Sequence, residues 1–117
     1  MRLRQFKLAL PKKIRAIKPV GFLEFLRLEA SAKLILTDSG GLQEEACILR
    51  VPCVTLRTST ERPETVAVGA NTITGYSPKN ILSLAKRMLS KPRKWANPFG
   101  DGKASQRILD IISKGGR

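Results

Sequence analysis

Apolar and polar positions change their rhythm several times along the chain, and each change marks a new element. Residues 2–8 read as the tail of a helix that ends before Pro11. Ile14 to Val20 alternates in part and predicts a strand. Phe22 to Ala30 predicts an apolar-rich helix. Leu34 to Thr37 is a continuous apolar run, which predicts a strand buried on both faces. Gly41 to Arg50 carries Leu42, Ala46 and Leu49 at i, i+4 and i+7, the stripe of a helix. Cys53 to Leu56 follows Pro52 and reads as another buried strand, and Pro63 suits the first turn of a short helix. Asn71 to Thr74 predicts a further strand. Ser77-Pro78 then opens a helix with Ile81, Leu84, Ala85 and Met88 on one face. Trp95 to Gly102 reads as a loop. Ala104, Ile108, Ile111 and Ile112 mark a last helix, closed by Gly115-Gly116.

Strand and helix alternate with short connections, which implies βαβ units around a parallel sheet. The expected fold class is α/β, a doubly wound, Rossmann-like sheet. At 117 residues the chain is one domain or part of one. Its 42% hydrophobic fraction argues against wholesale disorder. No apolar run approaches the roughly 20 residues that cross a bilayer. Pro11 and scattered charges interrupt the start, so no secretory signal is read there, and the expectation is a soluble, cytoplasmic protein without a membrane partner.

Charge and sulfur narrow the chemistry. The net charge is +13, with seven basic residues before the first acid, Glu24, and ten more from Lys79 onward. Such a surface favours polyanions or is merely solvated. The aromatics do not interleave with the basic runs as a base-stacking platform requires, which disfavours nucleic acid. Cys47 and Cys53 stand six apart in no metal-ligand pattern and read as buried thiols. With no histidine at all, acid–base work must fall to carboxylates, lysines or a partner.

The stretch TDSGGLQEEA, residues 37–46, carries the densest chemistry. Ser39-Gly40-Gly41 falls where a strand ends and a helix begins, at the edge of an open sheet where ligands bind. Free N–H groups and the helix dipole favour an anion there, glycine lets the backbone approach it, and the Ser39 hydroxyl adds a donor. A plain tight turn with a serine N-cap fits the same letters. Glu44 is explained by the helix dipole. Glu45 lies four residues after Gly41, on the same face and one turn deeper. A carboxylate there suits two sugar hydroxyls, so the spacing suggests a nucleotide with phosphate at the glycines and ribose at Glu45. Arg57 follows the next strand and either reaches the phosphates or pairs with a nearby glutamate.

LILTDSGGLQEEA, VPCVTLRTSTERPE and NPFGDGKASQRILDII, in that order, resemble the C-terminal part of the non-hydrolysing UDP-N-acetylglucosamine 2-epimerases. PVGFLEFLRLEASAKLILTDSGG continues the resemblance upstream, so that it runs from about Ile17 to Ile112. The resemblance implies a GT-B-type fold of two Rossmann-like halves facing a cleft. It implies interconversion of UDP-GlcNAc and UDP-ManNAc, without a cofactor, by elimination and re-addition of UDP. Carried over by motif, Ser39, Gly40 and Gly41 would hold the diphosphate and Glu45 the ribose hydroxyls. Arg62 of TERPE would anchor UDP, and Phe25 would lie near the uracil.

In that family the acid–base residues lie upstream of the matched part, so none is expected in this chain. Residues 1–117 are accordingly read as a partial domain, the UDP-binding part, with the N-terminal domain absent and no activity alone. A separate chain carrying that half is one implied partner, and homodimers are common in the family. The alternative reading is a non-enzymatic basic module that binds nucleotide or nucleic acid.

Overall fold

The computed structural model describes residues 5–115. It contains α1 (Phe22–Ser31), β1 (Ile35–Thr37), α2 (Gly40–Ile48), β2 (Cys53–Thr55), α3 (Pro63–Ala67), β3 (Asn71–Ile73), α4 (Pro78–Ser90) and α5 (Ala104–Gly115). The three strands are parallel in the order β1-β2-β3, with Ile35, Cys53 and Asn71 in register. The expected parallel α/β sheet is therefore present, with α2 and α3 as its crossovers.

The centre of the sheet is the driest place in the molecule. All three residues of β2 are buried, as the apolar run predicts. Ile35, Ala46, Val51 and Cys53 form one core cluster, flanked by Ala32, Leu42 and Leu49. Each valine buried there contributes on the order of 1.5–3 kcal/mol. A second cluster joins Cys47, Ala70 and Trp95. Both cysteines are free and buried, as their spacing suggested. Burial pushes the Cys53 thiol up to about 12. The α4 stripe is the covered face of that helix, with Met88 fully inside, whereas Leu82 and Leu89 are exposed.

Four expectations change. Residues 14–20 form no strand: they are exposed coil, and none of them pairs with β1. Partial alternation makes a strand only where a sheet edge accepts it, and β1 keeps that edge unpaired among the described residues. Second, β1 is not buried on both faces. Ile35 and Thr37 point inward, but Leu36 is 47% exposed, because β1 lies at the edge of the described sheet. Third, Ser77 sits at the N-cap of α4 without a side-chain capping bond. Fourth, the apolar stripe of α5 is exposed throughout, from Ile108 to Ile112. The helix expected over residues 2–8 lies partly outside the described residues, and Gly116 lies wholly outside. Among the described residues no helix is long and apolar enough to cross a membrane.

Candidate functional site

Short parallel strands bring their following loops to one edge. Ser39, at the N-cap of α2, and Arg62, at the N-cap of α3, are both there. Gly40 opens α2, and Gly41 is exposed beside it. The Ser39 hydroxyl makes no capping bond to α2. Its backbone is held from both sides instead: its N–H donates to Thr37 Oγ1 at 3.0 Å, and its carbonyl accepts from Gln43 Nε2 at 3.2 Å. The first N–H groups of α2 are thus presented at an open edge, the arrangement that favours an anion.

An anionic side chain already leans on that edge. A Cβ added to Gly40 would collide with the Glu61 carboxylate. Glu61 is held in turn by Arg57, at 2.9 Å. Its own backbone N–H, then Arg57 and Arg62, hold its carboxyl below the usual carboxylate range. Of the two readings of Arg57, the structure has the pair with glutamate.

Arg62 reaches α2 directly. Its Nε, buried, forms an ion pair with Glu44 that lacks hydrogen-bond geometry, and its Nη1 donates to the Glu61 carbonyl at 3.1 Å. Glu44 therefore serves Arg62 rather than the helix dipole. The helix begins at Gly40, so Glu44 stands in its second turn, beyond the reach of that dipole.

Glu45 points elsewhere. It is half-buried on the side of α2 that packs on α1, close to Glu29. Glu29 is the one buried residue of α1, only 4% exposed, and among the described residues neither of its carboxyl oxygens has a hydrogen-bond partner. Burial first, and the Glu45 carboxylate second, push the Glu29 carboxyl up. Phe25 stands one turn before Glu29 on the same face of α1 and is partly exposed. Ser39, Gly40, Gly41 and Arg62 are thus brought together at one edge, while Glu45 lies at the neighbouring α1–α2 seam and Phe25 is exposed on α1, one turn from Glu29.

A buried polar network, not foreseen from the sequence, ties these loops. Gln43 is fully buried and its Oε1 accepts from Thr60 Oγ1 and, at 3.1 Å, from Asn71 Nδ2. Asn71 Nδ2 also donates to Thr65 Oγ1, and Asn71 Oδ1 accepts from Thr55 Oγ1 at 2.8 Å. Thr65 Oγ1 donates to the Arg62 carbonyl at 2.7 Å. One glutamine side chain therefore joins the loop after β1, the loop after β2 and strand β3. Its signal was available, because Gln43, Ala46 and Cys47 share one helix face, which puts an amide in a core stripe.

Two surface hollows lie away from this edge. One is lined by Val66, Asn71, Met88 and Lys91, the other by residues 15–20 and α1. Among the described residues no cluster of His, Cys, Asp or Glu could hold a metal.

The family model for UDP-N-acetylglucosamine 2-epimerase matches residues 2–113. The chain belongs to the UDP-N-acetylglucosamine 2-epimerase family. It is 57% identical, over 97% of its length, to the UDP-N-acetylglucosamine 2-epimerase of Methanocaldococcus jannaschii, of which it covers 32%. It is 60% identical over 85% of its length to the epimerase of Methanococcus maripaludis, covering 27% of that protein. The crystal structure of the M. jannaschii epimerase in complex with UDP-GlcNAc and UDP superposes with a TM-score of 0.86 over 97% of this chain and 33% of that one. The chain thus spans about a third of the length of the relatives it matches, and the resemblance drawn from its motifs is borne out at the level of family and fold.

Proposed function

We propose that this chain is the UDP-retaining, C-terminal part of an epimerase that interconverts UDP-GlcNAc and UDP-ManNAc by eliminating and re-adding UDP. The diphosphate lies on Ser39, Gly40 and Gly41 with Arg62 as anchor, the ribose hydroxyls on Glu45, and the uracil near Phe25. One observation carries the reading: the glycine-led N-terminus of α2, without a side-chain cap from Ser39, lies at the same sheet edge as Arg62, with a carboxylate one turn deeper on α2. The M. jannaschii relative, solved with UDP-GlcNAc and UDP, supports it.

The acid–base residues are assigned to the part of the relatives' length that this chain does not span. A chain carrying that part is the expected partner, in the cytoplasm, where nucleotide sugars and reduced thiols coexist. Alone, the chain binds UDP without epimerising it. A dipole contact and a few charge-assisted hydrogen bonds net about 4 kcal/mol, a Kd on the order of a millimolar.

Titration calorimetry tests the assignment. Glu45→Ala should weaken UDP about tenfold and leave inorganic pyrophosphate nearly unchanged, whereas Arg62→Ala should weaken both. Equal loss for both ligands on removing Glu45 would count against the ribose role. A steep salt slope with random-sequence DNA and no response to UDP would favour the basic-module alternative.

Glu61 supplies a second prediction. Its carboxylate competes for the anion seat, so Glu61→Ala should tighten pyrophosphate about two- to fivefold. Weaker binding in that variant would mean that Glu61 organises the seat rather than filling it.

A further inference from the structure

A buried carboxyl with no donor needs an explanation. Glu29 is 4% exposed, inside the seam between α1 and α2, and neither oxygen receives a hydrogen bond from the described residues. An ionised carboxylate is acceptor-only, and a buried polar group without a partner is costly. Its neighbour Glu45 is also an acceptor. The other titratable group facing it is the Cys53 thiol on β2, buried as well. Among the described residues no cation pairs with it: Arg93, which reaches the end of α1, donates to the Ala32 and Lys33 carbonyls instead. Two facing carboxyls in such a place can satisfy each other in one way, by holding a proton between them.

We propose that Glu29 is a positioning residue: as a neutral carboxylic acid it donates a hydrogen bond to the Glu45 carboxylate, fixing that side chain so that its free oxygen meets the ribose hydroxyls of a nucleoside diphosphate. The inference rests on the ribose role proposed above for Glu45. It makes sugar recognition, not diphosphate binding, depend on a proton. At low pH the proton is present, Glu45 is held, and hydroxyls are recognised. As pH rises through the raised Glu29 value, two negative charges face each other, Glu45 turns away, and the hydroxyls lose their acceptor. Phe25, one turn along α1 on the same face, extends the same surface toward the base.

The sign of the stability effect follows. A carboxyl whose folded value is raised is fully tolerated below the ordinary value of 4.5 and costs stability as pH rises through the folded value. Glu29→Gln, a permanent donor of nearly the same shape, should therefore gain stability over the parent chain toward alkaline pH, and the gain should vanish on acidification.

The test compares UDP with 2′,3′-dideoxy-UDP across a pH series that starts near the ordinary carboxyl value of 4.5 and runs upward. In the parent chain the dideoxy compound should bind about tenfold more weakly at the acid end, and the gap should close toward the alkaline end. In Glu29→Gln the gap should persist at every pH, and in Glu29→Leu, which fills the same apolar seam, it should be small throughout. Carbon NMR of glutamate-labelled chain reads the pair without ligand: Glu29 should titrate above 4.5, and Glu45→Gln should bring it down. A gap that is constant with pH and equal in all three chains, or a Glu29 that titrates normally and ignores Glu45→Gln, overturns the proposal. No gap in any chain, with pyrophosphate still bound, removes the ribose role of Glu45 instead and leaves the proton sharing to be judged by NMR.

Discussion

Replacing Gln43 with methionine is expected to remove about 2–4 kcal/mol of stability, the cost of stranding buried polar partners. The substitution keeps the length of the side chain and deletes its amide. Thr60 then loses the acceptor of its hydroxyl, Asn71 Nδ2 keeps only Thr65, and the Ser39 carbonyl loses its side-chain donor. Folding stabilities are about 0.05–0.15 kcal/mol per residue, so such a loss is a large share of the whole. Urea melts followed by circular dichroism would measure it. A companion variant, Gln43→Met with Asn71→Leu, removes both partners and should recover part of the loss. If Gln43→Met alone melts like the parent chain, the network is decoration. In a chain that remains folded, pyrophosphate binding should fall too, because Gln43 links the α2 N-terminus to the loop that carries Arg62.

Trp95→Ala should cost about 3–5 kcal/mol, typical for truncating a buried aromatic. Trp95 is 6% exposed and packs with Cys47 and Ala70. Its indole N–H donates to the Cys47 carbonyl at 2.9 Å, at the end of α2, where the Arg50 N–H also reaches that carbonyl at 3.3 Å. Its own carbonyl accepts from Arg50 Nη1 at 2.6 Å. Arg50 follows α2 in a left-handed conformation, φ 59°, so one tryptophan pins both the helix end and the turn beyond it. Trp95→Phe keeps most of the packing and loses the indole bond, and should cost about 1 kcal/mol. Equal losses for the two variants would show that the hydrogen bond, not the buried area, holds the loop.

The periodicities exposed what is local. The runs at Ile35, Cys53 and Asn71 and the stripes of α2 and α4 follow from side-chain spacing, and glycines before a helix at a strand end suffice to suggest the anion seat. Pairing is another matter. Nothing in Ile14 to Val20 tells whether a strand edge awaits it, and Leu36 is apolar whether or not anything covers it. Glu44 and Glu45 are adjacent letters, but the 100° step between them turns one to Arg62 and the other to Glu29. Polar core residues were the least legible. Gln43 and Glu29 each interrupt an apolar face, which signals a buried polar group, yet the residues they meet, Thr60 and Asn71 for Gln43 and Glu45 for Glu29, are known only from the folded chain.

Cys53 sits on the central strand with no exposed surface, and its thiol is pushed up to about 12. Sulfur reacts as thiolate and only where a reagent can reach it. A folded copy is therefore silent toward peroxide and alkylating agents, and an opened copy is not. Adducts accumulating on this sulfur would record how often the β-layer comes apart, a chemical memory of lost folds kept by the protein itself.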